Sequence, residues 1–261
     1  MRIVNFLIED LLPGIFAVVS AENIRDDTEG PFLKRMVQYC FLLLSALAKE
    51  NIPNSEALFG RLDFMTKFND GYNFRVANLI SEIFQDNDVL MRRCEDELVA
   101  DTWQLAIKTR AARFLDFMCV LLANDGAPLK FNQDRLSEVV KAGCPSDLFS
   151  IDFNMDSDEL ILFHNSLITM AALLCAGRHR YSIDFFLTDV GLSYPQVLGC
   201  INDESIGYES RIAYTLLMKT LFINREPYEV RGTPQHRLSS NRMALITSDS
   251  GAMCSPNIEW P

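Results

Sequence analysis

Several common patterns are missing from this sequence, and each absence removes a class of function. No Cys-x-x-Cys pair occurs among the seven cysteines Cys40, Cys94, Cys119, Cys144, Cys175, Cys200 and Cys254. An odd number of scattered thiols in a chain of this length reads as reduced, mostly buried cysteine in a cytosolic protein, without a disulfide framework or metal site. No Asn-x-Ser/Thr glycosylation acceptor is present, which agrees with that compartment. No uninterrupted apolar run approaches the roughly 20 residues of a spanning helix, so no transmembrane segment is expected. Met1 to Ala21 is apolar, but Glu9, Asp10, Pro13 and Gly14 break it, against a signal peptide. Basic residues are in deficit: 24 Lys and Arg face 35 Asp and Glu, a formal net charge of −11. That balance argues against nucleic acid as a partner and against docking on an anionic membrane.

Catalytic motifs are missing too. There is no G-x-G-x-x-G, no G-x-x-x-x-G-K, no G-x-S-x-G and no H-E-x-x-H. Of three histidines, His164 sits in an expected helix as a partly buried side chain, and His236 belongs to a loose C-terminal stretch. His179, within Arg178-His179-Arg180, reads as a solvated basic turn that has the chemistry to meet a phosphate or an acidic partner. Asp152, Asn154, Asp156 and Asp158 have the 1-3-5-7 spacing of a calcium loop, but Ser157 stands at the glycine position and Phe163 at that of the bidentate glutamate. The segment is expected to be a solvated acidic loop. Arg92, Arg93, Glu95, Asp96 and Glu97 read as a solvated helix face with i,i+4 pairing. The sequence thus assigns no catalytic, ligand-binding or metal residue and no cofactor, and an enzyme is not expected.

What is present is helical periodicity. Forty-nine per cent of residues are hydrophobic and 23% charged, the balance of a folded chain. Phe32, Met36, Val37, Cys40, Leu43, Leu44 and Leu47 line one broad face, and Val76, Leu79, Ile80 and Ile83 another. Further helices are expected at about 88–108, 111–123, 133–142, 159–175 and 208–222. Breakers fall at Asn51 to Asn54, Asn69-Asp70-Gly71, Asn124-Asp125-Gly126 and Gly143 to Ser146. The expected fold is all-α, and periodicity alone leaves a bundle and a solenoid of stacked helix pairs both open. From about Glu226 the chain turns rich in Ser, Pro, Asn and Gly. The reading is a segment at 1–29, a helical domain at 30–225 and an extended or disordered tail at 226–261.

Arg113-Phe114-Leu115-Asp116-Phe117 resembles the R-F-L-D-Y-L run in the RIH domain of inositol trisphosphate receptors, and the likeness continues through Cys119-Val120, Asn124, Pro128 and Gln133 to Val139. A second block follows the same family in order. It comprises Leu174-Cys175, Arg178, Cys200, Asp203-Glu204, Tyr208, Arg211, Ala213, Leu217-Met218, Asn224 to Pro227 and Thr233-Pro234. Together the blocks span most of 30–235; ryanodine receptors share this type of domain. The resemblance implies an armadillo-like α-solenoid on the cytosolic side of a tetrameric calcium-release channel in the endoplasmic reticulum membrane. Its partners would be other subunits or domains of that channel, met through helix faces. The family's Y-R-K contact triplet for inositol phosphates falls near Asn51-Ile52-Pro53, where no cation stands. No ligand-contact residue is therefore carried over. A stand-alone helical scaffold, a truncated product and a piece of a receptor all fit.

Overall fold

The computed structural model of the chain describes Gly14, residues 30–66, 75–145, 147–150, Phe153 and residues 157–224. These belong to one compact unit. The expected tail, and all but Gly14 of the expected segment at 1–29, lie outside the described residues.

The described chain is all-α. Its helices are α1 (Gly30–Ala48), α2 (Ile52–Phe59), α3 (Leu62–Thr66), α4 (Val76–Phe84), α5 (Asp88–Arg93) and α6 (Asp96–Thr109). They continue with α7 (Ala112–Leu122), α8 (Lys130–Gly143), α9 (Asp158–Cys175), α10 (Arg180–Thr188), α11 (Tyr194–Asn202) and α12 (Tyr208–Leu217). A 3-10 turn (Ala176–Arg178) follows α9, and a π-helical turn (Met218–Ile223) extends α12. The only strands described are Ala123–Asn124 and Ala127–Pro128, paired antiparallel around Asp125 and Gly126. Both turn residues have positive φ, 48° and 74°, as a two-residue hairpin turn requires.

α1 packs on α4, α4 on α7, α7 on α9 and α9 on α12, each mainly against its neighbours in the row. α2 and α3 flank α4, α6 and α8 flank α7, and α10 and α11 cover α9 and α12 respectively. The arrangement is an α-solenoid, in which each layer buries the apolar face its predecessor leaves open. Aromatic rings bridge the layers: Phe59 meets Phe84 edge-on at 5.7 Å, and Phe84 meets Phe117 at 5.6 Å. Phe114, Leu115, Leu217 and Met218, all part of the resemblance blocks, are buried.

Three expectations change. On α1 the buried stripe is Val37, Phe41, Leu44 and Ala48, whereas Phe32 (73%), Tyr39 (69%) and Leu43 (45%) stay exposed. This helix is apolar on two sides, and only one faces α4. The helix expected at 88–108 breaks at Cys94-Glu95, both extended. Arg135 holds the break: its Nη2 donates to the Cys94 carbonyl (2.7 Å) and its Nε to Asp96 (2.6 Å). Asn51 to Asn54 is also more than a connection. Asn51 caps α2 by accepting from the Asn54 N–H (3.2 Å), and Pro53 lies in the first turn, where a missing N–H costs nothing.

α9 with its 3-10 turn, 158–178, is long and apolar enough to cross a membrane by length and composition, with a mean hydropathy of 1.8. Half of it is buried, and its place between α7 and α12 accounts for apolar residues all round.

Four consecutive residues of α8 tie this stack together. Asn132 Nδ2 donates to Leu121 O at the end of α7 (2.7 Å). Gln133 Nε2 lies 2.8 Å from Leu173 O and 2.9 Å from Ala176 O, with Leu174 O at 3.3 Å, so it caps the end of α9. Asp134 accepts from His179 Nε2 (2.8 Å) ahead of α10, and Arg135 reaches back to α5 and α6. Gln133→Leu would remove the side-chain donor from these carbonyls, of which Leu173 O keeps the Ala176 N–H. It is expected to cost about 1–3 kcal/mol in urea unfolding, with helical content unchanged by circular dichroism.

Candidate functional site

Gly177 and Arg178 both adopt left-handed φ, 65° and 66°. A Cβ at Gly177 would stand 2.9 Å from Pro128 Cγ, so only glycine lets this turn press against the hairpin. The double left-handed step reverses the chain after α9 and folds the next imidazole inward. His179 is 7% exposed, which corrects its reading as a solvated turn. Its Nε2 meets Asp134 (2.8 Å), its Nδ1 meets Ser182 Oγ (2.7 Å), and Ser182 Oγ meets Ser137 Oγ (2.6 Å). Asp134 accepts from Nε2–H, and the bonds run on from Nδ1 through the Ser182 hydroxyl to that of Ser137.

The sequence Asp134–His179–Ser182 has the connectivity of a nucleophilic triad, yet Ser182 is 1% exposed and its oxygen is already engaged by Ser137. A substrate carbonyl has no route to it. The line of bonds joins α8 to α10 and positions what lies outside it: a cleft of about 470 Å³ walled by Lys130, Asp134, Arg178, Arg180 and Tyr181.

His164 is likewise buried, at 2%, with Nε2 2.8 Å from the Tyr214 hydroxyl and Phe153 edge-on at 5.8 Å. Burial raises the Tyr214 pKa, and the neighbouring Cys200 adds to the shift. The pair bolts α9 to α12. Among the described residues no group of His, Cys, Asp and Glu is arranged to hold a metal ion. Asp152, Asn154 and Asp156 of the calcium-like spacing, and His236, lie outside the described residues.

Two further cavities flank the stack. One, of about 340 Å³ between α3 and α6, has Phe59, Leu62, Leu98 and Leu105 in its walls with Asp63, Glu95, Glu97 and Asp101. Of the expected mixed-charge face, Arg92 pairs with Asp88 at 3.0 Å and Arg93 stacks over Phe59 at 4.7 Å. The other, of about 480 Å³, lies among α7, α9 and α12 and contains Asp116, Ser166 and Glu209. Asp116 accepts from Ser166 Oγ at 2.6 Å; burial raises its pKa, and that hydrogen bond offsets part of the rise. Arg113 lies over the Phe114 ring at 4.7 Å. Arg211 is near Asp203, whose pKa is lowered chiefly by Ser205 and secondarily by Arg211.

The described thiols show no activation. Burial raises Cys94 to about 12 and Cys144 to about 11, and raises Cys119 and Cys175 further. The six described cysteines are unpaired.

The family model for the RIH domain matches residues 2–144, more than half of the 261-residue chain. The chain belongs to the RIH family. The RIH domain is that of inositol trisphosphate and ryanodine receptors, which are channel proteins. The match covers α1 to α8 and with them the Arg113–Phe117 run and Asn132 to Arg135. It starts ahead of the likeness seen in the sequence and stops short of the second block, 174–234. The helical stacking continues beyond the match, through α9 to α12. Where the resemblance puts the family's cationic triplet, this chain has the Asn51 cap, an exposed Ile52 and Pro53.

Two outcomes follow. Because burial disfavours the Asp116 carboxylate, its contribution to stability is fully present below the ordinary carboxylate pKa of about 4 and is lost as pH rises through the raised folded value. Asp116→Asn, which keeps an oxygen for Ser166, is expected to raise the urea midpoint at neutral pH and to lose that advantage below about pH 4. At mildly alkaline pH the folded chain is expected to protect Cys94, Cys119, Cys144 and Cys175 from iodoacetamide, with full labelling in urea, as read by peptide mass spectrometry.

Proposed function

We propose that this chain is a cytosolic regulatory and coupling solenoid of an intracellular ligand-gated calcium-release channel of the inositol trisphosphate receptor type. The observation that carries the reading is the RIH match over residues 2–144. The helical-repeat domain is assigned to residues 30–225, flanked by the segment at 1–29 and the tail at 226–261. Its work is done by helix faces and not by catalytic groups, on the cytosolic side of the endoplasmic reticulum membrane. Other subunits or domains of the tetrameric assembly are its partners.

The exposed side of α1 supports this. Phe32, Tyr39 and Leu43 form an apolar strip on the first described helix of the row, where a solenoid in isolation would carry a polar capping face. Another domain of the same assembly is its occupant in this reading. Coupling requires an element with two arrangements that a ligand biases, and the layer boundaries toward α1 and α12, away from the hydrogen-bonded turn of α8, offer such shifts. With asparagine, isoleucine and proline at the family's cationic positions, the isolated chain is expected not to bind inositol trisphosphate.

An antibody to residues 30–225, used on fractionated source cells, tests the assignment. The expected result is a membrane-associated species far larger than the 29.7 kDa of this chain. A soluble band at that size would replace the channel reading with a stand-alone scaffold.

A further inference from the structure

The cleft beside His179 has no part in the coupling role proposed above, and its chemistry is out of keeping with a chain of net charge −11. Lys130, Arg178 and Arg180 converge on it. Neither Lys130 nor Arg178 has an acidic partner within salt-bridge distance among the described residues, and Arg180 has only the exposed Asp184 at 3.7 Å. The one carboxylate in the wall, Asp134, already accepts from His179 at 2.8 Å.

Two helices also begin there. α8 starts at Lys130 and α10 at Arg180, and neither has a side-chain cap on its first turn. Their leading N–H groups therefore lack intrahelical partners, and both dipoles present a positive end. Arg178 is held in place by backbone, since the left-handed pair at 177–178 is wedged against Pro128. A non-glycine residue kept in that region stores strain that the surrounding structure must support.

We propose that this cleft binds a phosphorylated side chain, a phosphomonoester dianion carried on a partner peptide. Three cations and two uncapped helix starts match a compact group with up to two negative charges and three acceptor oxygens better than a single carboxylate. The cleft is a surface feature with exposed Pro128 and half-exposed Tyr181 on its walls, which gives an apolar shoulder to the residues flanking the phosphate. It does not enclose its occupant as a site for a free small ligand does. It is also separate from Asn51-Ile52-Pro53, where the family resemblance puts inositol phosphate contacts. The inference stands whether or not the channel reading holds.

The test uses the full chain and a fluorescein-labelled phosphoserine peptide with alanine and tyrosine neighbours, read by anisotropy. Its unphosphorylated counterpart and inorganic phosphate serve as the other probes. Saturable binding of the phosphopeptide alone is expected, weakened by added salt. Lys130→Ala and Arg178→Gly, the latter keeping the left-handed backbone, are each expected to weaken it about tenfold or more. Arg92→Ala, on a remote exposed ion pair, is expected to leave it unchanged, and circular dichroism checks that every variant is folded. Equal binding of both peptides would overturn the proposal, as would phosphopeptide binding that survives the Lys130→Ala/Arg178→Gly double variant. Inorganic phosphate binding as tightly as the peptide would overturn the peptide assignment.

Discussion

One turn of α8 is the constraint on which the stack depends. Asn132, Gln133, Asp134 and Arg135 point in four directions, and each satisfies a polar group on a different neighbour: the ends of α7 and α9, the start of α10, and the joint between α5 and α6. A solenoid joins its layers mostly by apolar contact, which is strong but permits sliding. Hydrogen bonds to buried carbonyls do not permit it, because a shift of one residue leaves donors and acceptors unpaired in a dry interior. The apolar faces thus supply most of the cohesion and this turn supplies the register.

The two described histidines are structural, and the same turn holds one of them, His179, through Asp134. His179 and His164 both sit where catalytic histidines often do, bonded to a hydroxyl and within reach of other polar groups. What distinguishes them is access. Ser182 and the His164 ring are sealed by packing, so the bonds fix helices to one another and leave no open face for a substrate. The described surfaces carry charge of both signs: an acidic cavity beside α6 and a basic cleft beside α8 and α10.

Much of the fold was legible in the sequence, since helices that bury a single stripe announce it. Val76, Leu79, Ile80 and Ile83 on α4 are all buried as their spacing indicates. Legibility failed where the deciding contact is distant. α1 carries apolar residues on two sides, and only the position of α4 selects Phe41 and Ala48 over Phe32 and Leu43. The break between α5 and α6 is held by Arg135, some forty positions along the chain. α10 and α11 were missed because short helices carry weak periodicity; the Ser193–Gln196 capping box before Pro195 was the available signal for α11. The cleft was half legible: Arg178-His179-Arg180 stood out as basic, but nothing local shows that His179 turns inward or that Lys130 joins the arginines. The RIH resemblance rested on core residues such as Phe114 and Leu115 together with exposed ones such as Asp203 and Tyr208, and none of the family's cationic contacts was among them.

A stack of helices ordinarily flexes like a spring, each layer rotating slightly on the last. Here the middle of the spring is pinned across the layers that carry α6, α7, α9 and α10 by side chains one residue apart on the same helix. Elastic deformation of the described solenoid is therefore unevenly distributed: the centre moves as a stiff block and the compliance collects toward α1 at one end and α12 at the other. A displacement applied at one end is carried through that block as leverage, with little lost to bending on the way.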